Sequence, residues 1–245
     1  MVKSVILAAP VSFRRKSRWD VVARPPYLVG LFQAADLAIS EKVPVISAIE
    51  FGVAEGKGLL ILEKYAAAVE RETGVRIEVY GFDTGKGLPE LCGDYRDHPD
   101  FFEPAESPMK DESALRQRLS PRTTLVIGDV AQTVVQFVRN SRHAPVGFIA
   151  CDLGLYSATR DALQVLSLPE KRMLARVPMY FSCTAGFEMH QFAGERLAIA
   201  EFNSRNHHVK IDQWHGISFW RAFPEARWVQ GMHVAHDLEA ISKAQ

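Results

Sequence analysis

"PVISAIEFGVAEGKGLLILEKYAAAVERE", residues 44 to 72, decides the fold. Its first eight residues, Pro44 to Phe51, form a β-branched apolar run that carries an acid at its end, the pattern of a buried strand. Glycines follow, and "LLILEKYAAAVERE" then sets apolar residues at helical spacing along one face. The turn between them, "IEFGVAEGKG" (Ile49 to Gly58), has glycines that let a backbone approach a ligand, at a helix N-terminus with free N–H groups. A dinucleotide fingerprint reads G-x-G-x-x-G; this turn reads Gly52-x-Ala54-x-Gly56-x-Gly58, preceded by Glu50. A tight strand-to-helix turn without a ligand is the alternative.

The same alternation continues outward. Upstream, "RPPYLVGLFQAADLAIS" predicts a helix starting near Pro26. Downstream, "RIEVYGFD" (Arg76 to Asp83), "TTLVIGD", "PVGFIACD" and "VPMYFSC" read as strands. "VAQTVVQFVRN", "SATRDALQVL" and "GERLAIAEFN" read as the helices between and after them, and "DESALRQRL" as a short helix capped by Asp111. "HVKIDQW" and "RWVQGMHVAH" suggest a closing antiparallel strand pair. Five alternations of strand and helix predict an α/β protein with a doubly wound, mostly parallel sheet. Residues 1–43 read as an N-terminal arm and helix, and 44–245 as one globular unit. Thr84 to Lys110, rich in Pro, Gly and Asp, is too long for an ordinary connection and reads as a functional loop or a small insertion.

Bulk properties narrow the function. The 245 residues carry 29 basic and 29 acidic side chains and are 47% hydrophobic. That suffices for one large core, and the charge balance gives no footprint for nucleic acid. "FRRKSR" (Phe13 to Arg18) is a local basic run, read as a solvated arm. Cys92, Cys151 and Cys183 show no metal-site spacing and form an odd set, which fits a reducing compartment. "SVILAAPV" near the N-terminus lacks a good cleavage site and does not read as a signal peptide. No apolar run approaches the ~20 residues of a membrane helix. A cytoplasmic protein acting on a small molecule is expected, with homo-oligomerisation left open.

Acids at the strand ends supply the candidate chemistry. Asp83 can accept hydrogen bonds from both ribose hydroxyls of an adenosine, or cap the loop after its strand. "GDV" (Gly128 to Val130) lies where an adenine would rest, or Asp129 caps the following helix. Asp152 faces the crevice as a general base, or caps the helix near Ser157. His190, on the loop after the fifth strand with Glu188, is a second base candidate or a solvated histidine. His233 and His236, three apart on a strand, point to opposite faces, and His207 and His208 read as exposed.

With these residues in view, "ISAIEFGVAEGKGLL", "VYGFDTGKGLP", "LVIGDVAQTV", "DLGLYSATRDAL" and "GERLAIAEFN" resemble successive motifs of class I S-adenosylmethionine-dependent methyltransferases. The similarity is to the branch related to macrocin O-methyltransferases and runs from about Arg24 to about Phe202. It implies a Rossmann-like methyltransferase fold and S-adenosylmethionine as cofactor. Glu50, Gly52, Ala54 and Gly56 would line its methionine part, Asp83 with Thr84 beside it would hold the ribose, and Gly128, Asp129 and Val130 would lie by the adenine. Arg24 and Tyr27, in "RPPY", would belong to an arm folding over the cofactor, or to an ordinary helix start.

The sequence departs from this pattern at the metal. Macrocin-type relatives carry an acid-Leu-acid stretch after the fourth strand and an acidic pair ending the fifth, and such acids hold magnesium against a sugar diol. Here Asp152 is kept, Gly154 stands for the second acid, and Ser182 and Cys183 stand for the pair. One carboxylate, a hydroxyl and a thiol suit a hard cation poorly, so no metal is expected. The reading is an O-methyltransferase for a small molecule that works without a metal; the alternative is a non-catalytic S-adenosylmethionine-binding protein. A nicotinamide oxidoreductase is disfavoured by the first turn.

Overall fold

The computed structural model describes residues 11–140 and 142–243; all of "SVILAAPV" but Val11 lies outside them. Two helices, α1 (Phe13–Arg18) and α2 (Pro25–Ser40), precede the alternating part. That part runs β1 (Val45–Phe51), α3 (Lys57–Thr73), β2 (Arg76–Asp83), α4 (Glu112–Arg118), β3 (Thr123–Ile127), α5 (Val130–Asn140) and β4 (Val146–Cys151). It continues through α6 (Tyr156–Ala162), β5 (Arg176–Phe181), α7 (Gly194–Arg205), β6 (Val209–Gln213), β7 (Met232–Asp237) and α8 (Leu238–Lys243).

The strands form one sheet in the order β3-β2-β1-β4-β5-β7-β6. β1 to β5 pair in parallel, and β7 inserts antiparallel between β5 and β6. The expected mostly parallel sheet with an antiparallel C-terminal pair is therefore present. Strand order reverses between β1 and β4, and a ligand crevice in such sheets opens outside the carboxyl ends of those strands. Gly52 follows β1 and Asp152 follows β4, so both stand at that crevice.

Alternation along β2 shows how both faces are covered. A Cβ at Gly81 would meet Leu59 of α3. The rings of Tyr80 and Phe82 instead meet Phe137 of α5, at 4.8 and 5.4 Å between centroids. β4 is buried at every position, which explains its unbroken apolar run. α2 lies against β1, β4 and β5; its Leu28, Leu31, Ala34, Ala35 and Ala38 are wholly buried in the same core as the sheet. Helix 25–40 is thus part of the globular body.

The basic run 13–18 is a capped helix and not a solvated arm. Ser12 Oγ accepts from Arg15 N, and Arg14 forms two bonds of 2.7 Å to the Asp36 carboxylate on α2. Phe13 meets Tyr65 of α3 edge-on. An amphipathic spacing was hidden there by four cationic residues, Arg14, Arg15, Lys16 and Arg18, within six positions.

The segment between β2 and α4 has a single turn of 3-10 helix, Tyr95–Asp97, and is tied down by one buried carboxylate. Asp97 accepts from Cys92 N and Ser157 N at 2.7 Å and from Ser157 Oγ at 2.8 Å. It therefore caps α6 from outside the helix, so Asp152 does not. Asp111 caps α4 as expected, accepting from Ala114 N at 2.8 Å.

Candidate active site

A cavity of about 1310 Å³ opens at the carboxyl ends of β1, β2, β3 and β4. Gly52, Ala54, Asp83, Thr84, Gly128, Asp129, Val130 and Asp152 line it, together with Arg24. Candidates from four separate strand ends thus converge on one space.

The glycine turn is built as much by its own packing as for a ligand. Gly52 has φ +86°, and a Cβ there would lie 2.3 Å from the Asp152 carbonyl oxygen. A side chain at Gly56 would strike Leu115 of α4. At Gly58 it would strike the Glu50 carboxylate at 1.9 Å. Asp83 holds the turn in place: its Oδ2 accepts from Val53 N and Ala54 N at 2.8 Å, and its Oδ1 from Gly85 N at 2.7 Å. The loop-capping role of Asp83 is real, and the side chain still borders the cavity. Thr84 turns the loop as well, donating to Gly87 O at 2.6 Å. Asp129 caps α5 through Ala131 N at 2.9 Å.

Three residues expected along the cofactor, Gly56, Tyr27 and Glu50, are not part of the cavity lining. Tyr27 is fully buried and donates from Oη to Glu50 Oε1 at 2.6 Å. Glu50 is itself buried, and its Oε2 finds no hydrogen-bond partner among the described residues. Burial pushes this carboxyl up to about 8, against the Tyr27 hydrogen bond and the Arg24 charge. Arg24 does reach the cavity: its Nη1 donates to Tyr27 Oη and to Asp152 Oδ2, each at 2.9 Å. It holds a left-handed backbone, φ 45°, an uncommon conformation for a side-chain-bearing residue. "RPPY" is therefore a helix start that feeds a polar chain, Asp152–Arg24–Tyr27–Glu50, beneath the site.

His190 is not brought to the cavity. It is exposed on the loop after β5, accepts from Phe192 N at 3.2 Å, and faces the ring of buried His98 at 5.0 Å. Glu188 is exposed beside it. The first residues of this loop, Ser182 and Cys183, still line the cavity, and Glu195 Oε2 at the start of α7 accepts from Cys183 N at 2.7 Å. Burial pushes Glu195 up to about 8.

The positions that depart from the metal pattern do not assemble a magnesium site. Asp152 is engaged by Arg24. Ser182 Oγ and Cys183 Sγ contact each other at 3.5 Å, and burial pushes the Cys183 thiol up to about 11, so it is protonated and a poor ligand. Gly154, φ +71°, has no room for an acid: a Cβ would lie 2.4 Å from the ring of Phe102. An acid at 154 would therefore require the Phe102 ring to move. Among the described residues, no group of three or more His, Cys, Asp or Glu is placed to hold a metal ion. The donor set does not fit magnesium.

Sequence reading missed Phe102, Asp97 and Glu195. The last two are lone acids in ordinary polar surroundings and gave no signal. "FF" at 101–102, two aromatic residues inside a Pro- and Asp-rich loop, was a signal of something to pack against.

This sheet, with its strand order, antiparallel end and cavity at the β1/β4 reversal, is the Rossmann-like methyltransferase fold. CalS11, a calicheamicin methyltransferase, matches over 96% of this chain and 89% of its own, with 17% identity and a TM-score of 0.57. The O-methyltransferase NovP matches over 83% of this chain and 86% of its own, with 19% identity and a TM-score of 0.54. No protein-family model and no curated protein matches the chain. Among the described residues, no helix is long and apolar enough to cross a membrane.

Proposed function

We propose that the protein is an S-adenosylmethionine-dependent methyltransferase that methylates an oxygen of a small molecule without a metal. One observation carries the reading: the glycine turn, Asp83, the 128–130 segment and Asp152 line a single cavity at the strand-order reversal. The methyltransferases CalS11 and NovP share the fold, which supports it.

In this reading the backbone of 52–55 borders the methionine end and Asp83 the ribose, while Gly128 to Val130 border the adenine. Asp83 keeps about one acceptor site on Oδ1 after its three backbone bonds, since an ionised carboxylate offers about four. Bound there, S-adenosylmethionine supplies a methyl group activated by a sulfonium. Asp152, at the end of β4, accepts the proton of the acceptor hydroxyl. Arg24 fixes its orientation and, with Tyr27 and Glu50 behind it, keeps that carboxylate facing the crevice. Methyl transfer is an in-line displacement, so positioning and one base can suffice.

Calorimetric titration with S-adenosylmethionine, S-adenosylhomocysteine and NAD tests the reading. Binding of the first two and not of NAD is expected; NAD binding without S-adenosylhomocysteine binding would overturn it. Asp152→Asn is expected to retain S-adenosylhomocysteine binding and to lower kcat by about 10²- to 10⁴-fold, the range for a lost general base.

A further inference from the structure

Phe102 fills the space beside Gly154, two residues from Asp152, that a side chain at 154 would take. The turn that delivers it is fixed at two points. Asp97 ties it to Ser157 at the start of α6. The carbonyl of His98, which is buried and left-handed at φ 50°, receives the amides of both Phe101 and Phe102 at 2.9 Å. The Phe102 ring then rests on Gly154, borders the cavity and meets Phe101 edge-on at 4.8 Å. Beside Asp152 the cavity thus offers an aromatic ring, the Leu153 side chain, a hydroxyl and a protonated thiol.

The charges around Asp152 set a second condition. A carboxylate is a weak base, and this one already carries an arginine partner at 2.9 Å. The donor set does not suit magnesium, and of the cations lining the cavity Arg24 is paired with Asp152, Lys57 and Lys110 with Glu55, and Lys86 is exposed. The acceptor must then bring its own acidity. A phenol ionises near 10, as tyrosine does, whereas an alcohol lies nearer water at about 15.7, a difference of more than 10⁵ in the ionised fraction.

Resting on the methyltransferase reading above, we propose that the acceptor is a phenol, its ring lying against Phe102 on the Gly154 seat and its hydroxyl at Asp152. The phenol gives its proton to Asp152, and a lone pair of its oxygen forms the bond to the methyl carbon. The carbon–sulfur bond breaks with its electron pair kept by sulfur, leaving a neutral thioether, and Asp152 returns its proton to water. Phe102 is a specificity-determining residue in this scheme, because it selects a flat apolar face where a diol would need polar partners.

The test uses the full chain with S-adenosylmethionine and measures S-adenosylhomocysteine release. 2-Naphthol and 4-nitrophenol are compared with cyclohexanol and methyl glucoside. Turnover of the phenols, with kcat/KM at least about 100-fold above the alcohols, is expected. Phe102→Leu keeps the bulk and removes the aromatic face; it should raise KM for 2-naphthol up to about tenfold with kcat nearly unchanged, and Phe102→Tyr should restore it. Turnover confined to the alcohols, no transfer to any phenol by a protein that binds S-adenosylhomocysteine, or an unchanged KM in a folded Phe102→Leu would overturn the proposal. Failure to bind S-adenosylhomocysteine would instead overturn the methyltransferase reading itself.

Discussion

Asp83→Ala distinguishes a carboxylate waiting for a ligand from one that builds the site. In the ligand-free protein Asp83 already accepts three backbone N–H bonds, from Val53, Ala54 and Gly85. Hydrogen bonds to a charged group contribute about 1.5–3 kcal/mol each, so the lower end gives roughly 4.5 kcal/mol for three. Water reaching the half-buried turn restores part of that, leaving a net loss of about 3 kcal/mol. Unfolding entropy near 2.1 cal/mol/K per residue gives about 0.5 kcal/mol/K for this length, so Tm should fall by about 6 °C. Asp83→Asn should lie between the two, because one oxygen keeps the Val53 and Ala54 bonds while the new amide faces the Gly85 N–H. Calorimetric melts of the ligand-free proteins measure this directly. If Asp83→Ala melts within a degree of the parent, the carboxylate does not hold the turn, and any loss of S-adenosylhomocysteine affinity belongs to direct contact alone.

Three further outcomes are expected. Glu50 and Glu195 are held near 8 by burial, against a usual value of 4.5, so the native state keeps protons that the unfolded chain releases. Stability from each is full below about pH 4.5 and is lost as pH rises towards 8, on the order of 5 kcal/mol for each; Glu195→Gln should flatten that decline in urea melts at pH 5 and pH 8, and an unchanged slope would contradict the assignment. Gly52→Ala should destabilise the ligand-free protein by about 1–3 kcal/mol, since its φ and the Asp152 carbonyl both oppose a Cβ; a wild-type melt would mean that only a ligand needs the space. Millimolar magnesium should leave Tm and any methyl transfer unchanged, with EDTA equally silent, whereas a real site would add about 2.7 kcal/mol at a hundredfold excess over Kd.

The order of elements was legible because each strand and helix carries its own period and its own punctuation. Val130–Asn140 was readable to the residue, with its cap Asp129 directly before it. The antiparallel end of the sheet was readable too, from two strand patterns with no helix between them. What was not legible depends on contacts distant in sequence. Asp97 and Ser157 are 60 residues apart, and no local pattern marks an acid that will cap a helix in another part of the chain. His190 looked usable because it follows a strand end, yet its ring faces His98 and is not part of the cavity lining.

The same physical demand explains why the glycine turn reads correctly in position and ambiguously in role. A ligand that must approach the backbone closely and a chain that must reverse tightly both exclude side chains, and both favour left-handed residues. Gly52 meets the Asp152 carbonyl and Gly58 meets Glu50, so internal packing alone already requires glycine at each. Asp83 shows the same overlap, since a carboxylate able to hold two hydroxyls is equally able to hold two amides. A strand-end fingerprint therefore encodes a frame first. Its ligand chemistry rests on the surfaces left over, here Ala54, the remaining acceptor site of Asp83, Asp152 with its arginine, and the Phe102 ring.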